Sequence, residues 1–120
     1  TTILRTAEHI DGALQKMIDM GGDSVLSVCK SHKYYWYGHL TQDGFRKPHY
    51  EISKRYHVPK KEHKYRDNGA IYAFKKNILM EQNNRIGGKI VPYEMDEFDV
   101  FEIDSLEDLR FVEQLLLHKK

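Results

Sequence analysis

Ser24-Val25-Leu26-Ser27-Val28-Cys29 is the stretch of this chain that most constrains its fold. It is short, apolar and β-branched, which is typical of a buried strand. Residues 6 to 20, just before it, carry apolar side chains at the spacing of one helix face. Thr6 can cap that helix, and Gly21 can end it. A helix followed by a buried strand predicts an α/β fold.

More elements of both kinds follow an irregular middle segment. The patterns predict strands over residues 70–74, 89–94 and 100–103, with a short helix over 76–82. A last helix is predicted over residues 106–117. Ser105 is its expected N-cap, and Asp108 stands at the capping-box position.

The whole-chain composition limits the class of protein. With 120 residues, the chain is expected to form a single domain over residues 1–120. No apolar run approaches the roughly 20 residues of a membrane span, and no signal-peptide pattern opens the chain. Cys29 is the only cysteine, which excludes an internal disulfide. We therefore expect a reducing, cytoplasmic location.

Residues 30 to 66 have a composition of their own. They hold ten of the 19 lysines and arginines, only three of the 18 acids, and six of the eight tyrosines. The segment is too long for an ordinary loop, and we predict a hairpin-containing insertion. The net charge of +1 and the lack of a groove-reading motif argue against a nucleic-acid partner. An anionic small-molecule site and a protein interface both stay open.

Phe101-Glu102-Ile103-Asp104-Ser105 is the strongest local candidate for chemistry. Residues two apart on a strand share a face, so Glu102 and Asp104 are expected to project together at a strand end. In open α/β sheets, ligands bind beyond such strand ends. Two carboxylates suit Mg²⁺, which prefers oxygen ligands. The alternative is that Asp104 helps to cap the last helix while Glu102 is solvated.

A second candidate lies in the stretch from Arg66 to Tyr72. Asn68-Gly69 tolerates a positive φ and can bring the backbone close to a ligand. Arg66 could bind a carboxylate or phosphate through two hydrogen bonds, and Tyr72 could offer its hydroxyl. The alternative is a plain turn with a surface arginine and a core tyrosine.

Four motifs, in order, resemble the C-terminal half of the acylneuraminate (CMP-sialic acid) cytidylyltransferase family over nearly the whole chain. Leu4-Arg5-Thr6 is similar to the end of the family's S-P-L-R-T motif, and Asp23 to Val28 is similar to D-S-V-x-S-V. Asn68 to Tyr72 matches N-G-A-I-Y. Glu102-Ile103-Asp104 and the residues up to Leu109 are similar to D-I-D-T-x-x-D-L.

The resemblance implies a nucleotide-sugar-transferase-type, Rossmann-like mixed sheet flanked by helices. It implies that a hydroxyl of sialic acid or another nonulosonic acid attacks the α-phosphate of CTP and releases pyrophosphate. Glu102 and Asp104 occupy the positions of the two acids that hold Mg²⁺ in the family, which makes Asp104 a catalytic candidate. Glu102 replaces the family's aspartate.

The resemblance also implies a set of substrate contacts. Arg55 keeps the Arg-to-Pro spacing of the family's R-Q-x-L-P motif, so it is expected to bind the sugar carboxylate during catalysis. Arg66, Asn68 and Tyr72 fall on substrate-side positions. Residues 33–66 match the arm through which such enzymes form homodimers and reach the partner's site.

One departure limits what the chain is expected to do alone. The family's upstream nucleotide-binding loop, of the type A-R-G-G-S-K, has no counterpart here. We therefore expect the chain to be the C-terminal portion of the enzyme and inactive in isolation. The alternative, from another functional class, is a non-catalytic dimerisation or interaction module derived from such an enzyme. Sialic, legionaminic and pseudaminic acids all stay open as substrates.

Overall fold

The computed structural model describes residues 2–31, 37–53 and 64–119. In chain order its elements are helix α1 (Ala7–Asp19), strands β1 (Ser24–Ser31), β2 (Gly38–Leu40), β3 (Arg46–Pro48) and β4 (Lys64–Phe74), helix α2 (Lys76–Gln82), strand β5 (Ile90–Glu94) and helix α3 (Leu106–His118). They form two compact units. One comprises Thr1–Cys29 with Asp67–Lys120, and the other comprises Lys30–Arg66.

The first unit is built on a three-stranded sheet in the order β4-β1-β5. Strand β1 pairs in parallel with β5, with Val25 opposite Val91. It runs antiparallel to β4, because the Lys75 N–H donates to the Asp23 carbonyl at one end while Ser27 bonds Ile71 further along. The predicted α/β class is confirmed as a mixed sheet flanked by helices. The finer, nucleotide-sugar-transferase-type assignment stays a prediction.

Strand β1 is central to the hydrophobic core, as its apolar sequence predicts. Val25 is fully buried on it, and Ala13 is fully buried on α1. The core cluster draws on both helix and sheet: Ala13, Val25, Cys29, Ala70, Ile71, Val91, Met95 and Val100. Burying such side chains stabilises the unit by roughly 25 cal/mol for each Å² of apolar surface removed from water.

The predicted helix caps are present. At α1, the Thr6 hydroxyl accepts from the His9 N–H at 3.4 Å, and the His9 ring accepts from the Thr6 N–H at 3.1 Å. At α3, the Ser105 hydroxyl accepts from the Asp108 N–H at 3.1 Å. The Asp108 carboxylate accepts in return from the Ser105 N–H at 2.8 Å. These bonds satisfy backbone donors that a helix leaves unpaired.

The cap of α3 predicts a pH dependence of stability. The Ser105 hydroxyl, and then the Asp104 N–H, hold the pKa of Asp108 below its usual range. Because the folded-state pKa is lowered, the stabilisation is present above the unfolded value of about 3.9 and is lost as pH falls through the folded value. Asp108→Ala should therefore lose less stability than wild type when urea unfolding is repeated from pH 5 down to pH 3.

Gln114→Ala is the matched control, since Gln114 is exposed on the same helix and is not a cap. Its stability should fall with acid in parallel with wild type. Parallel curves for Asp108→Ala and wild type would contradict the assignment of a pH-dependent cap.

The prediction of a strand over residues 100–103 is wrong. Glu97–Asp99 instead forms a short 3₁₀ helix, which the Asp96 carboxylate caps by accepting from the Phe98 N–H. Val100 ends that helix at ψ 23°, outside the extended region. Too few residues then remain before Ser105 for a strand, and Glu102 makes only an isolated bridge to Thr2.

The two long helices bury less of their apolar faces than their patterns predict. On α1 only Ala13 is buried, while Ile10, Leu14 and Ile18 are exposed, Ile18 to 67%. On α3 only Val112 is buried. The sheet formed by the described residues therefore leaves the α1 stripe Ile10–Leu14–Ile18 uncovered.

The second unit contains the predicted hairpin. Strands β2 and β3 pair antiparallel, with Gly38 opposite Pro48 and Leu40 opposite Arg46. The Thr41 hydroxyl closes the turn by accepting from the Phe45 N–H at 3.1 Å. Across residues 2–31, 37–53 and 64–119, no helix has the length and apolar character needed to cross a membrane.

Candidate functional site at the Asn68–Gly69 kink

Strand β4 contains a residue with positive φ at Gly69, as the Asn-Gly pair allows, and this position is called the Asn68–Gly69 kink below. Gly69 has φ +71°, a value that glycine adopts without steric cost. Two side chains bond the backbone two residues ahead. The Asp67 carboxylate accepts from the Gly69 N–H at 2.9 Å, and the Asn68 amide oxygen accepts from the Ala70 N–H at 3.1 Å. The kink is therefore fixed by its own sequence.

The Asn68 side chain is buried against β1. Its amide oxygen accepts from the Ser27 hydroxyl at 2.6 Å, and its NH₂ group donates to the Cys29 sulfur at 3.4 Å. The Ser27 oxygen in turn accepts from the Ile71 N–H at 2.7 Å. These contacts make Asn68 the group that holds the kink to the sheet. Its predicted contact with substrate stays a prediction.

Glu102 reaches the kink from elsewhere in the chain. A Cβ atom on Gly69 would lie only 2.7 Å from the Glu102 Oε1 atom, so the missing side chain leaves room for this carboxylate. Glu102 and Asp104 are exposed, while Phe101 and Ile103 between them are half-buried. Exposed and half-buried side chains thus alternate over residues 101–104 as predicted, although these residues do not form a strand.

Both carboxylates are uncommitted in the described part of the chain. Neither accepts a hydrogen bond nor joins an ion pair there, and Asp104 contributes only its backbone N–H, to the Asp108 carboxylate. Asp108, rather than Asp104, is the acid that caps α3. Of the alternative, Glu102 is exposed as expected, and Asp104 joins the cap through its backbone N–H rather than its side chain.

The two acids have the donor chemistry of a magnesium site that shares its ion with substrate. Mg²⁺ is usually bound by one or two carboxylates, several waters and substrate phosphates. In the described ranges, no group of three or more His, Cys, Asp and Glu side chains could hold a metal ion. Glu102 and Asp104 would thus need oxygens from a phosphate ligand to complete the coordination shell.

Tyr72 lies in a chain of contacts that the sequence did not reveal. Its hydroxyl donates to the Asp67 carboxylate, whose two oxygens lie at 2.9 and 2.8 Å. The Arg85 guanidinium carbon lies 4.7 Å from the centre of the Tyr72 ring. Burial, and then the bond to Asp67, raise the pKa of Tyr72, so it is a neutral phenol at neutral pH. The hydroxyl that the sequence suggests could be offered to a ligand thus already donates to Asp67.

Arg5 is a further cation at the kink. Its guanidinium donates to the Ala70 carbonyl, directly after Gly69. The sequence alone gives Arg5 no role beyond its place in the Leu4-Arg5-Thr6 motif. No local pattern predicts this contact, or that of Arg85 with Tyr72, because both join segments far apart in the chain.

Arg66 belongs to the second unit. With Ser31, Tyr37, Lys64 and Tyr65 it lines a cavity of about 390 Å³. Two cations and two tyrosines around such a volume suit an anionic ligand with an apolar body. Arg55 lies outside the described residues. Of the predicted arm over residues 33–66, the structure describes 37–53 and 64–66.

Comparison of the chain with protein-family models and with curated proteins finds no match.

Proposed function

We propose that this chain is the C-terminal portion of a nucleotidyltransferase that transfers CMP from CTP to sialic acid or a related nonulosonic acid and releases pyrophosphate. The observation that carries the proposal is the Glu102 carboxylate, which lies against Gly69 in the kink and has no hydrogen-bond or ion-pair partner among the described residues. This places an acid of the D-I-D-like motif beside the N-G-A-I-Y motif. The two motifs are far apart in sequence, and such an enzyme would need both at one site.

Glu102 and Asp104 are the residues that would hold Mg²⁺. The ion would supply charge neutralisation on the phosphates during displacement of pyrophosphate. The bridge between Thr2 and Glu102 fixes the backbone from which the first carboxylate projects. Asp104 is exposed, and within residues 2–31, 37–53 and 64–119 it bonds only through its backbone, so its carboxylate could bind an ion.

The sugar acid would be bound by cationic and polar side chains. Arg55, Arg66, Asn68 and Tyr72 are the substrate contacts that the resemblance implies, with Arg55 as the partner of the sugar carboxylate. The tyrosine- and lysine-lined cavity beside Arg66 has the chemistry to accept an anionic ligand. The arm over residues 33–66 would then serve a homodimer.

The α1 stripe Ile10–Leu14–Ile18 supports the view that this is part of a larger sheet domain. Three exposed apolar side chains in one row are the face that additional strands would cover in a Rossmann-like, nucleotide-sugar-transferase-type fold. The nucleotide-binding loop would come from that additional part. The buried, lone Cys29 fits a cytoplasmic enzyme.

The test is pyrophosphate release from CTP with Mg²⁺ and a panel of nonulosonic acids. It should be run on this chain and on the chain extended upstream along its native coding sequence. We expect turnover with one acid in the extended form and none in the short form. Absence of turnover in both forms, with every acid in the panel, would overturn the proposal.

The second candidate function is a non-catalytic interaction module. The observation that favours it lies in the second unit, where Leu40, Phe45 and Ile52 are each exposed to more than 70%. Exposed apolar side chains at this density are typical of protein interfaces. Absence of pyrophosphate release, together with dimerisation in sedimentation velocity, would favour this module over the enzyme.

A further inference from the structure

We infer that Arg85 is an anion-binding residue at the Asn68–Gly69 kink, which takes a carboxylate or phosphate group of the ligand. Arg85 is exposed in the loop between α2 and β5. None of the carboxylates in the described ranges forms an ion pair with it. Its charge is therefore available, and the surrounding contacts explain how it is held ready.

The guanidinium is oriented by Tyr72. The Arg85 guanidinium carbon lies 4.7 Å from the centre of the phenol ring, a cation–π contact that orients the cation. The ring itself is fixed at its far end, because the Tyr72 hydroxyl donates to the Asp67 carboxylate at 2.8 Å. A planar guanidinium fixed in this way presents two parallel donors, the geometry that carboxylates and phosphates accept.

The backbone that carries Arg85 is also fixed. The Asn84 side-chain oxygen accepts from the Arg85 N–H at 2.8 Å. Two residues on, Gly87 is tied to β1, where its carbonyl accepts from the Ser24 hydroxyl at 2.8 Å and its N–H donates back at 3.2 Å. A cation on a fixed loop loses less entropy when it binds an anion than one on a free chain.

Arg85 is linked to Glu102 through the kink. Asp67 bonds both the Tyr72 hydroxyl and the Gly69 N–H, and the Glu102 carboxylate lies against the same glycine. Arg85 is thus joined to Gly69 by three contacts, through Tyr72 and Asp67, while the Glu102 carboxylate lies directly against the glycine. This inference rests on the proposed function only in its choice of ligand, which would be the carboxylate of the sugar acid or a phosphate of CTP.

The test is a titration of the full chain with inorganic phosphate and, separately, with N-acetylneuraminate. Side-chain Nε–Hε resonances of the arginines are followed by NMR. We expect the Arg85 resonance to shift in wild type and the apparent affinity to fall at least about tenfold in Arg85→Gln, since the charged bidentate partner is lost. A response to phosphate alone identifies the phosphate as the source, and a response to the sialate alone identifies the carboxylate.

Two variants separate anion binding from structure. Arg110→Gln, which removes an exposed arginine on α3, should titrate as wild type. Tyr72→Phe keeps the ring under Arg85 but removes the bond to Asp67, so its affinity should lie between wild type and Arg85→Gln. If Arg85→Gln is less stable than Arg110→Gln by thermal unfolding, Arg85→Lys replaces it and should show a smaller but clear loss.

Equal affinities in wild type and Arg85→Gln, or no shift of the Arg85 resonance with either probe, would overturn the inference. The result is separable from that of the pyrophosphate assay. Anion binding that depends on Arg85 in a chain without turnover would leave this site standing while the proposed reaction failed. Turnover with unchanged KM values in Arg85→Gln, together with no NMR shift, would leave the proposed reaction standing while the inference about Arg85 failed.

Discussion

Under the proposed function, Asp104→Asn is expected to lower Mg²⁺-dependent turnover of the extended chain by on the order of 100-fold or more. The substitution keeps the shape of the side chain but removes the negative charge that would bind the ion. Asp104 is exposed, and its carboxylate has no partner among the described residues, so the fold should be unaffected. Pyrophosphate release measured against Mg²⁺ concentration should give a raised apparent Kd for the ion.

Glu107→Gln is the matched control for this result. Glu107 is also an exposed acid near the start of α3, but it lies within the helix and outside the D-I-D-like motif. Its turnover should stay close to that of wild type. Turnover of Asp104→Asn within about twofold of wild type, with the chain folded by circular dichroism, would refute the metal assignment, since that change is under 0.5 kcal/mol in transition-state stabilisation.

The elements that the sequence predicts well are those whose signals are local. Helix α2 begins and ends at the predicted residues, Lys76 and Gln82, and the caps of α1 and α3 use Thr6 and Ser105 as predicted. The strand expected over residues 100–103 does not form: Asp96 caps a 3₁₀ helix over Glu97–Asp99, which ends at Val100 outside the extended region. The Asp96 carboxylate competes for the local backbone N–H groups, and apolar alternation alone carries no information about such competition.

The candidate site is predictable only in part. The positive φ at Gly69 follows from the Asn-Gly pair, and the exposure of Glu102 and Asp104 follows from their alternation. That Glu102 packs against Gly69, and that Arg85 lies over Tyr72, depend on how distant segments fold onto the sheet. No periodicity or motif spacing carries that information.

The kink itself depends on a small buried network, and the second large effect is expected there. Asn68 is only 4% exposed and Ser27 is fully buried. Their side chains bond each other and also satisfy the N–H groups of Ala70 and Ile71. In the described part of the chain, every buried side-chain nitrogen and oxygen has a partner. Removal of one member would therefore leave others unsatisfied.

Asn68→Ala is expected to lower the free energy of unfolding by about 2–4 kcal/mol. The Ser27 hydroxyl loses its nearer acceptor and keeps only the Ile71 carbonyl at 3.4 Å among the described residues, and the Ala70 N–H loses its side-chain partner; each buried unsatisfied group costs about 1–3 kcal/mol. Ser27→Ala should lower the free energy of unfolding somewhat less. In that variant only the Ile71 N–H loses its acceptor among the described side chains. Urea unfolding followed by circular dichroism measures both values.

The double variant decides whether the two residues act as one network. Since each single substitution already breaks the Ser27–Asn68 bond, the double variant should be less destabilised than the sum of the two by about 0.5–3 kcal/mol. Asn77→Ala, on the exposed side of α2, is the control and should stay within about 0.5 kcal/mol of wild type. Strict additivity would mean that Asn68 and Ser27 hold β4 independently, and the kink would then owe its shape to Gly69 and Asp67 alone.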